Sequence, residues 1–169
     1  MSFIDWNDLF DEIFEGYSHK WTLKQAHRHA THMSGHLQTQ RCMERTKYAK
    51  FHCPKCSKGW ASAKAKVDLY YPNFNQRLGQ VTIRFYGQEC RRCSRKGTYY
   101  VDPEFELDDI RFILEKLYER IGWDCYHKER PKTTKTYVER DNKIQGPHEE
   151  KLCEACKMGR CDQVSRKTK

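Results

Sequence analysis

Cys53-Pro54-Lys55-Cys56 and, 33 residues further on, Cys90-Arg91-Arg92-Cys93 decide how this chain folds. Each is a C-x2-C pair beside a strand-like segment. Together they supply four thiolates, the tetrahedral complement of a structural Zn²⁺ with Zn–S bonds of about 2.3 Å. The interval is longer than the usual spacing in a zinc ribbon, and a hairpin inside it can return the second pair to the first. From Ala61 to Tyr71 every second residue is apolar, through Ala63, Ala65, Val67 and Leu69, while Ser62, Lys64, Lys66 and Asp68 take the other face. That period of two predicts a half-buried strand. Pro72-Asn73-Phe74-Asn75 breaks it, and after Gly79 a second alternation sets Val81, Ile83 and Phe85 against Thr82, Arg84 and Tyr86. The pattern predicts an antiparallel hairpin, with a third short strand over 98–101 ending at Asp102-Pro103.

A second donor set lies further along: His148, Cys153, Cys156 and Cys161 offer one imidazole and three thiolates, again a full tetrahedral complement. Spacing leaves its fourth ligand open, because Cys125 or a histidine of the 27–36 stretch (His27, His29, His32, His36) could replace His148. Cys42 and Cys125 are otherwise read as reduced, partly buried thiols, and the histidine-rich stretch as a solvated segment. Two structural Zn²⁺ ions are therefore expected. A catalytic zinc keeps an open position for water, whereas four strong ligands close the shell. No phosphate-cradling G-x4-G-K-S/T, G-x-S-x-G or H-E-x-x-H pattern occurs, so no catalytic residues are assigned and a non-enzymatic role is expected.

With 169 residues, of which 37% are hydrophobic, and a mean hydropathy of −1.01, the chain fits one domain with a small apolar core. Structural zinc can supply an apparent ~10–16 kcal/mol in small modules, which would offset a thin core. Trp6, Leu9, Phe10, Ile13, Phe14 and Tyr17 recur at helical spacing and predict a helix over 2–17. Leu107, Ile110, Ile113, Leu114, Leu117, Tyr118 and Ile121 predict another over 106–121, with Gly122 as its stop. Residues 21–47 read as a loop or weak helix. The expected fold is α+β: a small antiparallel zinc-ribbon-like sheet with two zinc sites and flanking amphipathic helices, with Trp60 and Phe85 in the core beneath it. The expected domain runs over 1–161, with the ribbon at 48–101 and the C-terminal cluster at 148–161, followed by a basic disordered tail at 162–169. No signal-peptide pattern opens the chain and no apolar run approaches membrane-spanning length, so a soluble, cytoplasmic protein without a disulfide scaffold is expected.

Charge is segregated. Residues 1–40 carry −2, residues 41–100 +11, residues 101–124 −5 and residues 125–169 +5. Within the basic centre, Lys55, Lys58, Arg91, Arg92, Arg95 and Lys96 accompany Tyr86, Tyr99 and Tyr100, the mixture of cations and stacking rings that single-stranded RNA favours. The plainer reading is a charged surface that keeps a zinc domain in solution.

Phe51-His52-Cys53-Pro54-Lys55-Cys56, Trp60 with Ser62-Ala63, the run from Val81 to Cys90, and His148 ahead of Cys153-Glu154-Ala155-Cys156 together resemble the receptor-transporting proteins, as do the Trp6 helix and Trp21-Thr22-Leu23-Lys24. The resemblance covers most of residues 3–161, and Cys161 makes the tail most similar to the interferon-induced member. It implies a triple-CxxC zinc-binding accessory protein that helps chemosensory or opioid seven-helix receptors reach the cell surface, with a role in innate antiviral defence and RNA binding. Exposed aromatics at the hairpin loop, such as Tyr70, Tyr71 and Phe74, would serve the receptor contact. Family members commonly end in a hydrophobic anchor. Here no such segment precedes Lys169, so membrane association, at the endoplasmic reticulum, Golgi or plasma membrane, would run through partners or through an anchor outside this sequence.

Overall fold

The computed structural model describes residues 3–27, 40–72, 79–94, 99–130 and 148–161. The elements run α1 (Phe3–Phe14), β1 (Trp21–Gln25), β2 (Gln40–His52), β3 (Gly59–Pro72), β4 (Gly79–Phe85), α2 (Leu107–Cys125) and the short α3 (Glu154–Lys157), which a 3₁₀ turn at Glu150–Leu152 precedes. The four strands form one sheet in the order β1-β4-β3-β2.

This sheet is mixed rather than antiparallel. β1 pairs in parallel with β4, in the register Trp21↔Gly79 through Gln25↔Ile83. β1 and residues 40–47 of β2 fall in the stretch read from sequence as loop or weak helix, while residues 48–52 open the expected ribbon. Only Trp21 and Leu23 of β1 are buried, too short an alternation to stand out among polar neighbours. β2 is 13 residues long with burial that alternates only at its end, over 49–52, so most of it lacks the period of two that identifies a half-buried strand. β3 departs in the opposite direction: residues 65–69 are buried on both faces, Lys66 and Asp68 among them. The expected strand over 98–101 is a single antiparallel bridge between Val101 and Gln88, with Thr98 outside the described residues.

The chain divides into two compact units. The first comprises residues 1–44, 68–84 and 107–144. There α1 packs on α2 and on β1. Trp6, Phe10 and Phe14 are buried along one face of α1, and Phe10 and Phe14 stack at 4.0 Å between ring centroids. Tyr17 stacks on Tyr126 at 4.3 Å, and Trp21 Nε1 donates to Tyr126 Oη at 2.9 Å. Phe10, Met43, Leu69, Tyr71, Ile83, Ile110, Ile113, Leu114, Leu117 and Ile121 are all inaccessible to solvent. This is a substantial apolar core without any zinc-site residue, which corrects the expectation of a thin one. Tyr71, expected at an exposed loop, is fully buried, and its hydroxyl donates to Asp124 Oδ2 at 2.8 Å. Tyr70 is half-buried and donates to Asp68 Oδ2 at 3.1 Å, while Phe74 lies outside the described residues.

α2 also passes through its expected stop. The helix continues to Cys125, and the left-handed residue is His127, with φ of 51°. Gly122 is there because of space: a Cβ on it would come within 3.1 Å of Tyr17 Oη and of Lys128 Cδ. The second unit comprises residues 45–67, 85–106 and 145–169 and holds both expected zinc-donor sets.

Candidate metal centre

The first C-x2-C pair sits in the turn between β2 and β3. Cys53 N–H donates to Lys58 O at 3.0 Å and Ser57 N–H to Cys53 O at 2.8 Å. Ser57 closes the turn in the left-handed region, at φ of 55°. The second pair makes a like turn after β4: Cys93 N–H and Ser94 N–H both donate to Cys90 O, at 3.0 and 2.6 Å. Cys53, Cys56, Cys90 and Cys93 bring their sulfurs within 4.8 Å of one another, with Cys56 Sγ 3.7 Å from Cys90 Sγ. Tetrahedral sulfurs at the Zn–S bond length would lie about 3.8 Å apart, so the set fits one zinc ion.

The strip Gly87–Glu89, which leads into Cys90, also pairs with the segment that carries the second set. Gln88 exchanges two backbone hydrogen bonds with Val101, at 3.0 and 2.9 Å. On the other side, Glu89 N–H donates to Leu152 O at 2.8 Å and Glu154 N–H to Gly87 O at 3.0 Å. Glu154, itself buried, also accepts Gly87 N–H on Oε2 at 2.8 Å. Cys153 caps α3 and Cys156 lies in its first turn, so the two thiols share one side. Gly159, at φ of 66°, turns the chain so that Cys161 returns. His148, Cys153, Cys156 and Cys161 offer donors within 4.8 Å of one another. The imidazole Nε2 stands 3.1 Å from Cys156 Sγ and 3.6 Å from Cys161 Sγ. His148 thus completes the set. Cys125 belongs to the first unit, where its thiol donates to Pro72 O at 3.6 Å; His27 is exposed, and His29, His32 and His36 lie outside the described residues.

Sequence reasoning missed the residue behind His148. Its Nδ1 lies 3.4 Å from the hydroxyl of Ser62, which is 2% exposed. A hydrogen bond there would fix the tautomer that leaves Nε2 free for metal. The period of β3 marks Ser62 only as a polar-face residue, so no sequence signal singles it out. A third group, Cys42, Glu44 and Asp68, also lies within 4.8 Å in the first unit. It offers three donors, and the described residues supply no fourth.

Without metal the thiols share protons unequally. Burial opposes a Cys53 thiolate, but N–H groups of Lys55 and Cys56 and the thiols of Cys56 and Cys90 prevail and bring it down to about 7. Hydrogen bonding to Cys56, then burial, pushes Cys93 up to about 12. Burial, then Cys161, pushes Cys156 up to about 11. Cys153 is raised as well, by its hydrogen bond with Cys161 and by burial. Zinc, bound as a dication by thiolates, would displace those protons and leave net charges of about −2 and −1 on the two sets. With four strong donors each, the centres would organise the chain and offer no position for an activated water.

The basic residues are only partly assembled. Lys55 Nζ lies 4.7 Å above the ring of Tyr99, which is 42% exposed, and Arg92, in the second turn, is exposed. Arg91 pairs with Glu149 at 3.0 Å, Lys58 is exposed, and Arg95 and Lys96 lie outside the described residues. Tyr86 is buried and packs with Cys153, Ala155 and Cys161, so it is no stacking platform. Tyr100 has Lys157 Nζ 5.2 Å over its ring. Phe85 is core as expected, 9% exposed, whereas Trp60 is half-buried and stacks on Phe51 at 5.5 Å and 7°.

Two C-x2-C turns and a third on α3, gathered into closed sulfur-rich donor sets on a small mixed sheet, define a double-zinc ribbon. The profile of the three-CxxC zinc-ribbon family, described as a zinc-binding domain, matches residues 46–159. The chain belongs to that family, and the cofactor the family and the donor sets imply is zinc. It is 29% identical to mouse receptor-transporting protein 3 over 161 residues, covering 94% of this chain and 33% of that protein. It is 29% identical to human receptor-transporting protein 4 over 174 residues, covering 96% of this chain and 66% of that protein. The mouse receptor-transporting protein 2 is 28% identical over 120 residues, 69% of this chain and 51% of the relative. The chain thus spans between a third and two thirds of the length of these relatives. No solved structure matches it.

Proposed function

We propose that the chain is a non-enzymatic, zinc-organised accessory protein that promotes the transport of seven-helix receptors, chemosensory or opioid, to the cell surface. The observation that carries this reading is the likeness, over nearly the whole chain, to relatives named as receptor-transporting proteins. Two closed donor sets support the non-enzymatic part, because neither leaves a position for substrate or water. No helix among the described residues is long and apolar enough to cross a membrane. In this reading the role is exercised from the cytoplasmic side, through the receptor or a further anchoring element. The test is surface labelling of several such receptors in cells with and without the chain, beside a Cys53→Ser/Cys56→Ser variant. The wild-type chain should raise surface counts severalfold and the variant should not. Equal counts with and without the wild-type chain, expressed and zinc-loaded, would remove the reading.

A second reading, binding of single-stranded RNA with a part in antiviral defence, is favoured by one observation, the Lys55 ammonium over the exposed Tyr99 ring. Counterion release would then make log K fall linearly with log[salt], by about 0.7 per phosphate neutralised. A flat salt dependence would exclude it.

A further inference from the structure

A cavity of about 210 Å³ opens in the second unit beside the first zinc-donor set, with Cys90 in its wall and Lys58, Trp60, Gln88, Arg91, Glu149 and Leu152 around it. Gln88 is 6% exposed. Its Oε1 accepts from Trp60 Nε1 at 2.9 Å. Since an indole can only donate, that bond fixes which end of the amide faces Trp60. The other end, Nε2, is buried without a hydrogen-bond partner among the described residues. Buried donors are nearly always satisfied in folded proteins, so the orphan of a residue that lines a cavity points to an acceptor arriving from outside, reached by a small turn of the amide.

The charges name the acceptor. The ammonium of Lys58 has no ion-pair partner among the described residues, and the Arg91 guanidinium is held only by Glu149, at 3.0 Å across a pair that is 76% and 45% exposed. Such an exposed pair is weak and exchangeable. It also shows that a carboxylate is accommodated at this wall. In the same lining, Trp60 is braced flat against Phe51 and Leu152 adds an aliphatic surface, so a short apolar stem has somewhere to lie. Cavities that enclose a whole small-molecule ligand run from about 300 to 1,000 Å³; this one suits a single side chain better than a nucleotide.

We propose that the cavity is a docking site for an acidic side chain carried on an extended segment of a partner protein. The carboxylate accepts from Gln88 Nε2, lies between Lys58 and Arg91, and displaces Glu149 from Arg91. Glu149 is then an internal competitor whose removal strengthens binding. The proposal deepens the adaptor reading and depends on it only for which protein supplies the segment.

The experiment is an NMR titration of the zinc-loaded full chain. The probe is a capped heptapeptide of Val and Thr around one central Glu, with its Gln counterpart as control. The Glu peptide should shift the side-chain amide of Gln88 and the indole N–H of Trp60, and bind about tenfold more tightly than the Gln peptide, as befits a charge-assisted hydrogen bond. Lys58→Ala and Arg91→Ala, checked for two zinc ions per chain, should each weaken it by a similar factor. Glu149→Gln should tighten it about threefold. Equal binding of both peptides to the unmodified chain, or no tightening in Glu149→Gln, would overturn the proposal. So would an oligouridylate that shifts Gln88 and Trp60 where the peptide does not, since the cavity would then serve RNA. None of these readouts uses receptor surface counts, so the docking site and the trafficking role fail separately.

Discussion

Ser62 shows how much of a metal centre is set by residues that never touch the metal. Its hydroxyl meets His148 Nδ1, and groups that orient a ligand histidine typically change metal affinity by about 10- to 100-fold when removed. Ser62→Ala should therefore weaken zinc at the second centre by about tenfold or more and leave the first unchanged. Competition against a chromophoric chelator, site by site, checks this. Proton linkage acts at the same scale. In the second set Cys153 and Cys156 are raised above the ordinary thiol value, so near pH 7 they hold protons that zinc must expel. The metal-bound form is thus the less protonated one, and affinity rises with pH until those thiols ionise unaided. If about three protons leave with one zinc ion, the apparent constant should fall about a thousandfold per unit of acidification below neutrality. Isothermal titration in buffers of different ionisation enthalpy would count the protons, and a pH-independent constant would contradict the assignment. The seven cysteines of the two sets were legible in the sequence because thiolate chemistry imposes a spacing, whereas spacing left the fourth member of the second set open between His148, Cys125 and the 27–36 histidines. Ser62 was not legible, because orienting a ligand imposes no spacing.

At the scale of elements, what could be read depended on burial. α1 and α2 bury one stripe each and leave the rest in water, so their period survives in the sequence. β1 offers two buried residues in five, and its place is fixed by a partner remote in sequence, β4, through a parallel register that local periodicity cannot encode. Gly79 records that pairing. It lies opposite Trp21 in the ladder, and a Cβ there would sit 2.2 Å from a Trp21 ring carbon, far inside contact distance. The indole cannot simply move away, since its Nε1 is bonded to Tyr126 and its ring lies 6.1 Å from that of Phe14. Gly79→Ala should cost about 1–3 kcal/mol, the usual range for overpacking. Urea denaturation of the zinc-loaded protein would report it, and an unchanged midpoint would show that β1 does not pair as described. Gly122 carries a related lesson: read alone it is a helix stop, but inside α2 it makes room for Tyr17 and Lys128.

For the whole molecule, low hydropathy suggested that zinc stands in for a core throughout, yet the two means of stabilisation are unevenly distributed. Every residue of the two four-donor sets belongs to the second unit, while the first contains α1, α2 and a ring cluster of Phe10, Phe14, Tyr17, Trp21, Tyr118 and Tyr126. Average composition conceals this, because an aromatic core and a polar metal ribbon sum to one low mean hydropathy. The consequence is testable by hydrogen exchange with and without a strong chelator. Metal removal should abolish protection first at the amides that shape the centres: Cys53, Ser57, Glu89, Cys93, Ser94 and Glu154, all donors to backbone carbonyls of the second unit. The buried face of α2, from Ile110 to Ile121, should keep slow exchange over the same interval, since apolar burial and not metal holds it. Loss of protection everywhere at one rate would instead mean that zinc and the aromatic core belong to a single cooperative transition. In that case any cysteine substitution would abolish function through unfolding, and the cysteine variant used to test receptor transport would have to give way to changes such as Ser62→Ala that weaken one centre without dismantling it.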